Sequence, residues 1–256
     1  MEHDMAILAV CGVKGGCGAT TVAAALALLW QRQQRPVLAM DLCRQNLLRL
    51  HFGMEWHEAD GWRRRRDAGA DWARAAWEVG DRHLTLVPHG RVEEDVDQEG
   101  PEPEEWLRDE LAQLERQPGQ RTVLDLPARG VAERQQGLKA ASHALVMLSA
   151  DPAACALLDA VEAELHAGGL PAERIFFVIN HFNPLRKLDG DVELLLRKKL
   201  GPRLAPLPIH RDEAVREAFA KQQPLFDYAP ASQAADDLRQ LAVWLSVRLD
   251  AGRSGA

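Results

Sequence analysis

Residues 6 to 21 read Ala6-Ile7-Leu8-Ala9-Val10-Cys11-Gly12-Val13-Lys14-Gly15-Gly16-Cys17-Gly18-Ala19-Thr20-Thr21. The first six form an unbroken apolar run of buried-strand length, and the Ala/Leu-rich stretch from Thr21 to Trp30 has helical character. Between them, glycines at 15, 16 and 18 let backbone N–H groups turn inward as an anion-cradling nest, while the following helix aims the positive end of its dipole at the same spot. Strand, glycine turn and helix is the setting that a phosphate-binding loop requires, and it weighs against a glycine turn without a ligand. Thr20 falls where a hydroxyl ligand of Mg²⁺ is expected. Ala19, just before it, occupies the position where the usual pattern has lysine; a positive charge comes five residues earlier, at Lys14.

Two more apolar strands end in carboxylates. Pro36-Val37-Leu38-Ala39-Met40-Asp41 continues into Leu42-Cys43-Arg44-Gln45-Asn46, and Thr122-Val123-Leu124-Asp125 continues into Leu126-Pro127. Either aspartate alone would serve as an ordinary cap of a loop at a strand end. Open α/β sheets, however, place their sites at the carboxyl ends of strands.

Together these segments resemble the MinD/ParA family of P-loop NTPases, whose deviant loop reads Lys-Gly-Gly-x-Gly-Lys-Thr-Thr and is matched from Lys14 to Thr21 except at Ala19. The resemblance implies that Lys14, Gly15, Gly16, Cys17, Gly18, Ala19, Thr20 and Thr21 hold ATP. It also implies that Lys14 reaches across a dimer interface to the partner's nucleotide. Asp41 to Asn46 resembles the family's first switch, Asp-x-Asp-Pro-x-x-Asn, with Cys43 standing where the second aspartate would position the attacking water. Asp125 resembles the magnesium-side carboxylate, acting on Mg²⁺ from behind its direct ligand Thr20.

A narrower resemblance rests on Ala19 and Cys43 and on the segments Asn46-Leu47-Leu48-Arg49-Leu50, Gly61-Trp62, Asp71-Trp72 and Leu207-Pro208-Ile209-His210-Arg211-Asp212-Glu213-Ala214. These are similar to the MinD-type cytoplasmic components of bacterial cellulose secretion systems, over about Met5 to Trp244. That resemblance implies an ATP-sandwiched homodimer working with a small BcsR-like partner and helping to assemble the cellulose synthase complex at the inner membrane. Cellulose enters through resemblance alone.

The base end of the ligand is expected near the last strands. Ile175 to Ile179 reads as a buried strand delivering Asn180, whose amide offers both a donor and an acceptor to an adenine edge. The family uses an asparagine there, and the segment with Pro208, Ile209 and Asp212 resembles the part that packs on base and ribose. His210 reads as a loop histidine. Asp151-Pro152 reads as a helix cap followed by proline in the first turn.

The readings in competition are a nucleotide-stabilised dimeric scaffold with slow or absent hydrolysis, an ATPase cycling between ATP dimer and ADP monomer, and a DNA-segregating ParA homologue. Removing an ammonium about 4 Å from phosphate charge forfeits up to about 4 kcal/mol at an effective dielectric near 20. At 1.36 kcal/mol per decade, Ala19 alone is expected to slow the chemical step by roughly 10²–10³. Cys43 adds a second deficit, because a thiol is a poor substitute for a water-positioning carboxylate. The scaffold reading is favoured, with Ala19 and Cys43 as its degenerate positions.

Composition agrees without adding specificity. A chain of 256 residues with 46% hydrophobic residues suffices for one α/β core. A net charge of −7 argues against a nucleic-acid face over the whole surface. The four cysteines, at 11, 17, 43 and 155, form no Cys-x-x-Cys pair and fit free thiols in a reducing cytosol. The start, Met1-Glu2-His3-Asp4, is acidic, so no targeting leader is expected, and the apolar run from Val22 to Trp30 is too short to span a bilayer. Arg63 to Arg66 beside Trp62, Trp72 and Trp77 could face nucleic acid or lipid headgroups, but the spacing favours two short helices with tryptophans inward and arginines in solvent. Core packing accounts for most of the rings among Trp56, Trp62, Trp72, Trp77 and Trp106, leaving some as anchors for a partner.

Strands are expected at 6–11, 36–41, 83–87, 121–125, 143–149, 175–180 and 204–208, with helices between most of them. The fold class that follows is a doubly wound, mostly parallel sheet with helices on both faces, as one domain over 1–256. An acidic loop at about 91–105 and a short tail at about 250–256 complete it. The last helix, Ser232 to Leu249, gathers Leu238, Leu241, Ala242, Leu245 and Leu249 on one face, and the tail lacks the basic amphipathic pattern with which MinD grips lipid.

Overall fold

The computed structural model describes residues 6–80, 83–92, 105–115, 117–127 and 129–251; most of the acidic stretch and of the tail lies outside them. The strands are β1 (Ala6–Gly12), β2 (Val37–Asp41), β3 (Trp77–Val79), β4 (Leu84–Val87), β5 (Arg121–Asp125), β6 (His143–Ser149) and β7 (Ile175–Asn180). They form one seven-stranded sheet in the order β3-β4-β2-β5-β1-β6-β7. All pairs are parallel except β3 with β4. β1 lies between β5 and β6, so its carboxyl end opens beside Asp125 and Ser149.

The longer parallel strands are buried along nearly their whole length, which requires cover on both faces and explains why they read as continuous apolar runs rather than alternating ones. The helices are α1 (Ala19–Arg32), α2 (Trp62–Asp67), α3 (Trp106–Gln113), α4 (Ala132–Ala140), α5 (Pro152–Ala167), α6 (Lys187–Leu200), α7 (Glu213–Ala220), α8 (Leu225–Tyr228) and α9 (Gln233–Ala251). The α1 helix is apolar all round from Val22 to Trp30 because it is sandwiched between the sheet and α9. Buried Arg121 fastens the far end of this layer: it lies over the Trp30 ring at 4.4 Å, bonds Ser246 at 2.7 Å and pairs with Asp250 at 3.0 Å.

Two expectations are corrected. Residues 204–208 are not a strand. They run alongside β7, with Ala205 N–H donating to Phe177 and Ile209 N–H to Ile179, but Pro206 and Pro208 supply no N–H and the ladder is broken. Trp77, expected on a helix, opens the short antiparallel edge strand β3.

The arginine run is only partly solvated. Arg63 pairs with Asp67 at 2.8 Å, Arg65 bonds Asp60 at 2.8 Å, and Arg66 lies over the Trp106 ring at 4.0 Å, leaving Arg64 exposed. Trp62 and Trp72 are core residues; Trp106 stacks on the first at 5.5 Å, and Trp56 is 53% exposed. No described helix is long and apolar enough to cross a membrane.

Candidate functional site

The glycine loop is pinned at entry by the Val13 N–H, which donates to Met147 in β6 at 3.0 Å. Gly16 and Gly18 have φ of 77° and 85°, the left-handed region that glycine enters without penalty. Gly18 is also the N-cap of α1, and a Cβ there would lie 2.4 Å from the Asn180 side chain. Gly12, not singled out in the sequence, is equally constrained: its Cβ would meet the Lys14 carbonyl at 2.5 Å. Its place just ahead of the lysine was the available signal.

Cys17 is buried, its Sγ 3.4 Å from Ser149 Oγ, and its carbonyl accepts a 2.8 Å hydrogen bond from Asn180 Nδ2. Asn180 therefore ties the end of β7 to the loop, and has its oxygen and a second N–H left for a ligand. Lys14 pairs with Asp151 at 2.6 Å. That contact holds the ammonium above the usual lysine range, while the Asp151 carboxyl, raised by partial burial, is brought below its usual range by Lys14 and the Ala154 N–H. Asp151 does cap α5, with Pro152 in the first turn, as expected; its second role was invisible in sequence.

Ala19 and Thr20 open α1 half-buried. Beside them the carboxyl ends of β2 and β5 bring Asp41, Cys43 and Asp125 together, all buried, with ligand atoms within 4.8 Å of one another. Asp41 organises the loop after β2: its two oxygens accept from the N–H groups of Cys43 at 2.8 Å and Leu48 at 3.1 Å, and its carbonyl accepts from Trp62 Nε1 at 2.7 Å. Burial pushes its carboxyl up to about 7 against those two N–H groups. Asp125 has no backbone N–H to compensate it. Neither oxygen is hydrogen-bonded among the described residues, and burial, followed by the charge of Asp41, holds it well above the carboxylate range. The Thr20 hydroxyl and the Cys43 thiol act in the opposite direction. The Cys43 thiol itself is raised by burial and by the two carboxylates, so it is protonated, and its Sγ approaches the Asp125 carbonyl at 3.7 Å.

An uncompensated buried carboxylate is costly unless a cation meets it. Asp125 beside the Thr20 hydroxyl thus fits a divalent ion at the end of a phosphate cradle. Asn46 adds a second unsatisfied group in the same loop, buried at φ 52° with neither amide atom hydrogen-bonded.

On the other side of the loop a cavity of about 290 Å³ is lined by Gly18, Thr21, Asn180, Ile209, Asp212 and Val215, among others. Its place against the loop suits the base and ribose of a nucleotide. Pro208 is buried but is not part of the wall. Asp212 lines it, with its oxygens already capping the starts of α7 and α9 through the N–H groups of Ala214 and Ala234. His210 is held by Asp237 through both its backbone N–H and Nδ1, as befits a structural loop residue.

The strand order, the glycine loop after β1 and the carboxylates after β2 and β5 define a P-loop NTPase fold of the MinD/ParA type. Comparison with solved structures agrees. The septum site-determining protein MinD of Pyrococcus horikoshii, complexed with Mg-ADP, superposes with a TM-score of 0.77 at 20% identity, covering 93% of this chain and 94% of that one. A putative plasmid partition protein of Borrelia burgdorferi bound to AMPPNP gives a TM-score of 0.77 at 19% identity, covering 95% and 100%. The particular family is set by sequence. The model of cellulose biosynthesis protein BcsQ matches residues 5–245, and the BcsQ of Escherichia coli K12 is 33% identical over 248 residues, covering 94% of each chain. The chain belongs to the BcsQ family of cellulose biosynthesis proteins.

Proposed function

We propose that this protein is a Mg-ATP-binding, dimerising component of a bacterial cellulose synthase complex, a cytoplasmic scaffold stabilised by nucleotide and slow or inactive in hydrolysis. The observation that carries this reading is the unpaired, buried Asp125 carboxylate beside Thr20, one residue from an alanine where the ammonium would stand. Residues 14–21 would cradle the phosphates. Thr20 would ligate Mg²⁺ directly, with Asp125 behind it. Asn180, Ile209 and Asp212 would bound the base and ribose, with Pro208 supporting the loop from outside the cavity. Magnesium would supply the charge neutralisation that lets a triphosphate sit against buried carboxylates.

Ala19 and Cys43 explain slow chemistry without loss of binding. The loop amides and the Thr20–Asp125 corner remain, while the ammonium and the water-positioning carboxylate are gone. The whole chain from 1 to 256 would act as one domain. Its partners would be a second copy joined through Lys14, a small BcsR-like protein and subunits of the synthase at the inner membrane, with no nucleic acid and no segment inserted in the bilayer. Exposed Trp56 is the ring available to anchor a partner.

The nucleotide that copurifies with the protein tests the reading. ATP retained intact over hours is expected; ADP with released phosphate would favour a cycling ATPase.

A further inference from the structure

Asp41, Cys43 and Asp125 offer one sulfur and two carboxylates at a single buried point. Neither Asp125 oxygen has a hydrogen-bond partner among the described residues, and Asp41 keeps lone pairs beyond the two that its loop N–H groups occupy. Magnesium does not explain the sulfur. Mg²⁺ is a hard ion that demands oxygen ligands in near-octahedral array, whereas a thiolate selects softer ions such as zinc.

We propose that Asp41, Cys43 and Asp125 form a binding site for a thiophilic divalent cation of the zinc class, with the fourth position left to water. Ligand atoms around tetrahedral zinc stand roughly 3.5 Å apart, given Zn–S of about 2.3 Å and Zn–O of about 2.1 Å. The three side chains, within 4.8 Å of one another, need close by only about an ångström. Binding displaces the Cys43 thiol proton and any carboxyl proton to solvent, and the ion offsets the repulsion between Asp41 and Asp125. Because Asp41 and Cys43 bracket the start of the loop that runs to Leu48, the ion would also fix that loop.

The site shares Asp125 with the magnesium–nucleotide reading, so the test uses nucleotide-free protein. Magnesium-dependent ATP binding is measured separately, and either result can fail while the other stands. Cadmium is the probe, because its thiolate complexes have a charge-transfer band in the ultraviolet. Wild type should take up one equivalent of Cd²⁺ with that band, Zn²⁺ should compete for it, and excess Mg²⁺ should not. Cys43→Ser should lose the band while Cys17→Ser and Cys155→Ser keep it; if the serine variant does not fold, Cys43→Ala carries the same expectation. Asp125→Asn, which leaves the thiol in place, should weaken Cd²⁺ binding by about tenfold or more. Absence of the band in wild type, its survival without Cys43, or unchanged affinity in Asp125→Asn would overturn the proposal.

Discussion

Lys14 Nζ stands 2.6 Å from Oδ2 of Asp151, whose other oxygen caps α5 by accepting from the Ala154 N–H at 2.9 Å. The lysine proposed to serve a partner's nucleotide is thus held within its own subunit, and ATP-linked dimerisation has to exchange this contact for another. Lys14→Ala is expected to weaken the ATP-dependent dimer while leaving thermal stability nearly unchanged. Asp151→Asn keeps the capping oxygen and removes the charge. Since a partly exposed pair is worth about 0.2–1 kcal/mol, it should tighten dimerisation by up to about fivefold for each of the two subunits. Sedimentation of each variant with and without ATP measures both, and an undiminished dimer in Lys14→Ala would refute the role of Lys14.

Asp125 trades stability for ligand binding. Replacing its uncompensated carboxylate, as in Asp125→Asn, should stabilise the nucleotide-free, metal-free protein by about 1–3 kcal/mol at neutral pH and abolish magnesium-dependent nucleotide binding. The pH dependence has a definite sign. The folded carboxyls of Asp41, at about 7, and of Asp125, well above the usual range, bind protons that the unfolded chain has already lost. Their contribution to stability therefore falls as pH rises from the ordinary carboxylate range toward 7 and above. The gain in Asp125→Asn should accordingly be larger at about pH 8 than at about pH 5, as read by chemical denaturation.

Two glycines of the same loop should respond differently to alanine. Gly18→Ala requires φ of 85° and puts a Cβ 2.4 Å from the Asn180 amide, breaking the tie to Cys17. It is expected to destabilise the fold by about 1–2 kcal/mol or more and to cut ATP affinity by about tenfold or more. At Gly15 no atom lies within 4 Å of the added Cβ, so Gly15→Ala should stay within about 0.5 kcal/mol of wild type. Equal stability losses at the two positions would contradict this account of the loop.

The sequence made β1, the glycine loop, α1 and the carboxylates after β2 and β5 legible because each is local: a continuous apolar run, a glycine spacing, a strand-terminal acid. Residues 204–208 misled because their apolar content suits a strand, whereas Pro206 and Pro208 deny it the donors. β3 escaped notice because three residues at an antiparallel edge leave too short a period to read, and its tryptophan fell in step with a helical spacing. The contacts that complete the site are long-range. Lys14 and Asp151 are separated by 137 positions, and Asn180 and Cys17 by 163, so only the folded sheet brings them together. Nor does the sequence disclose that Cys43 is turned inward onto two aspartates rather than outward to solvent.

That inward turn matters for restoring activity. Ala19→Lys supplies the missing ammonium from a half-buried position, but Cys43→Asp adds a third carboxylate beside Asp41 and Asp125 and should lower stability unless Mg-ATP is present. The two changes act on one reaction and are expected to be non-additive. The most direct measurement is single-turnover hydrolysis of Mg-ATP by wild type and by the double variant Ala19→Lys, Cys43→Asp. Wild type should hold ATP intact over hours, and the double variant should release phosphate about 10²-fold faster or more. Turnover by wild type at the pace of an ordinary cycling ATPase, or no acceleration in a folded double variant, would contradict the scaffold account.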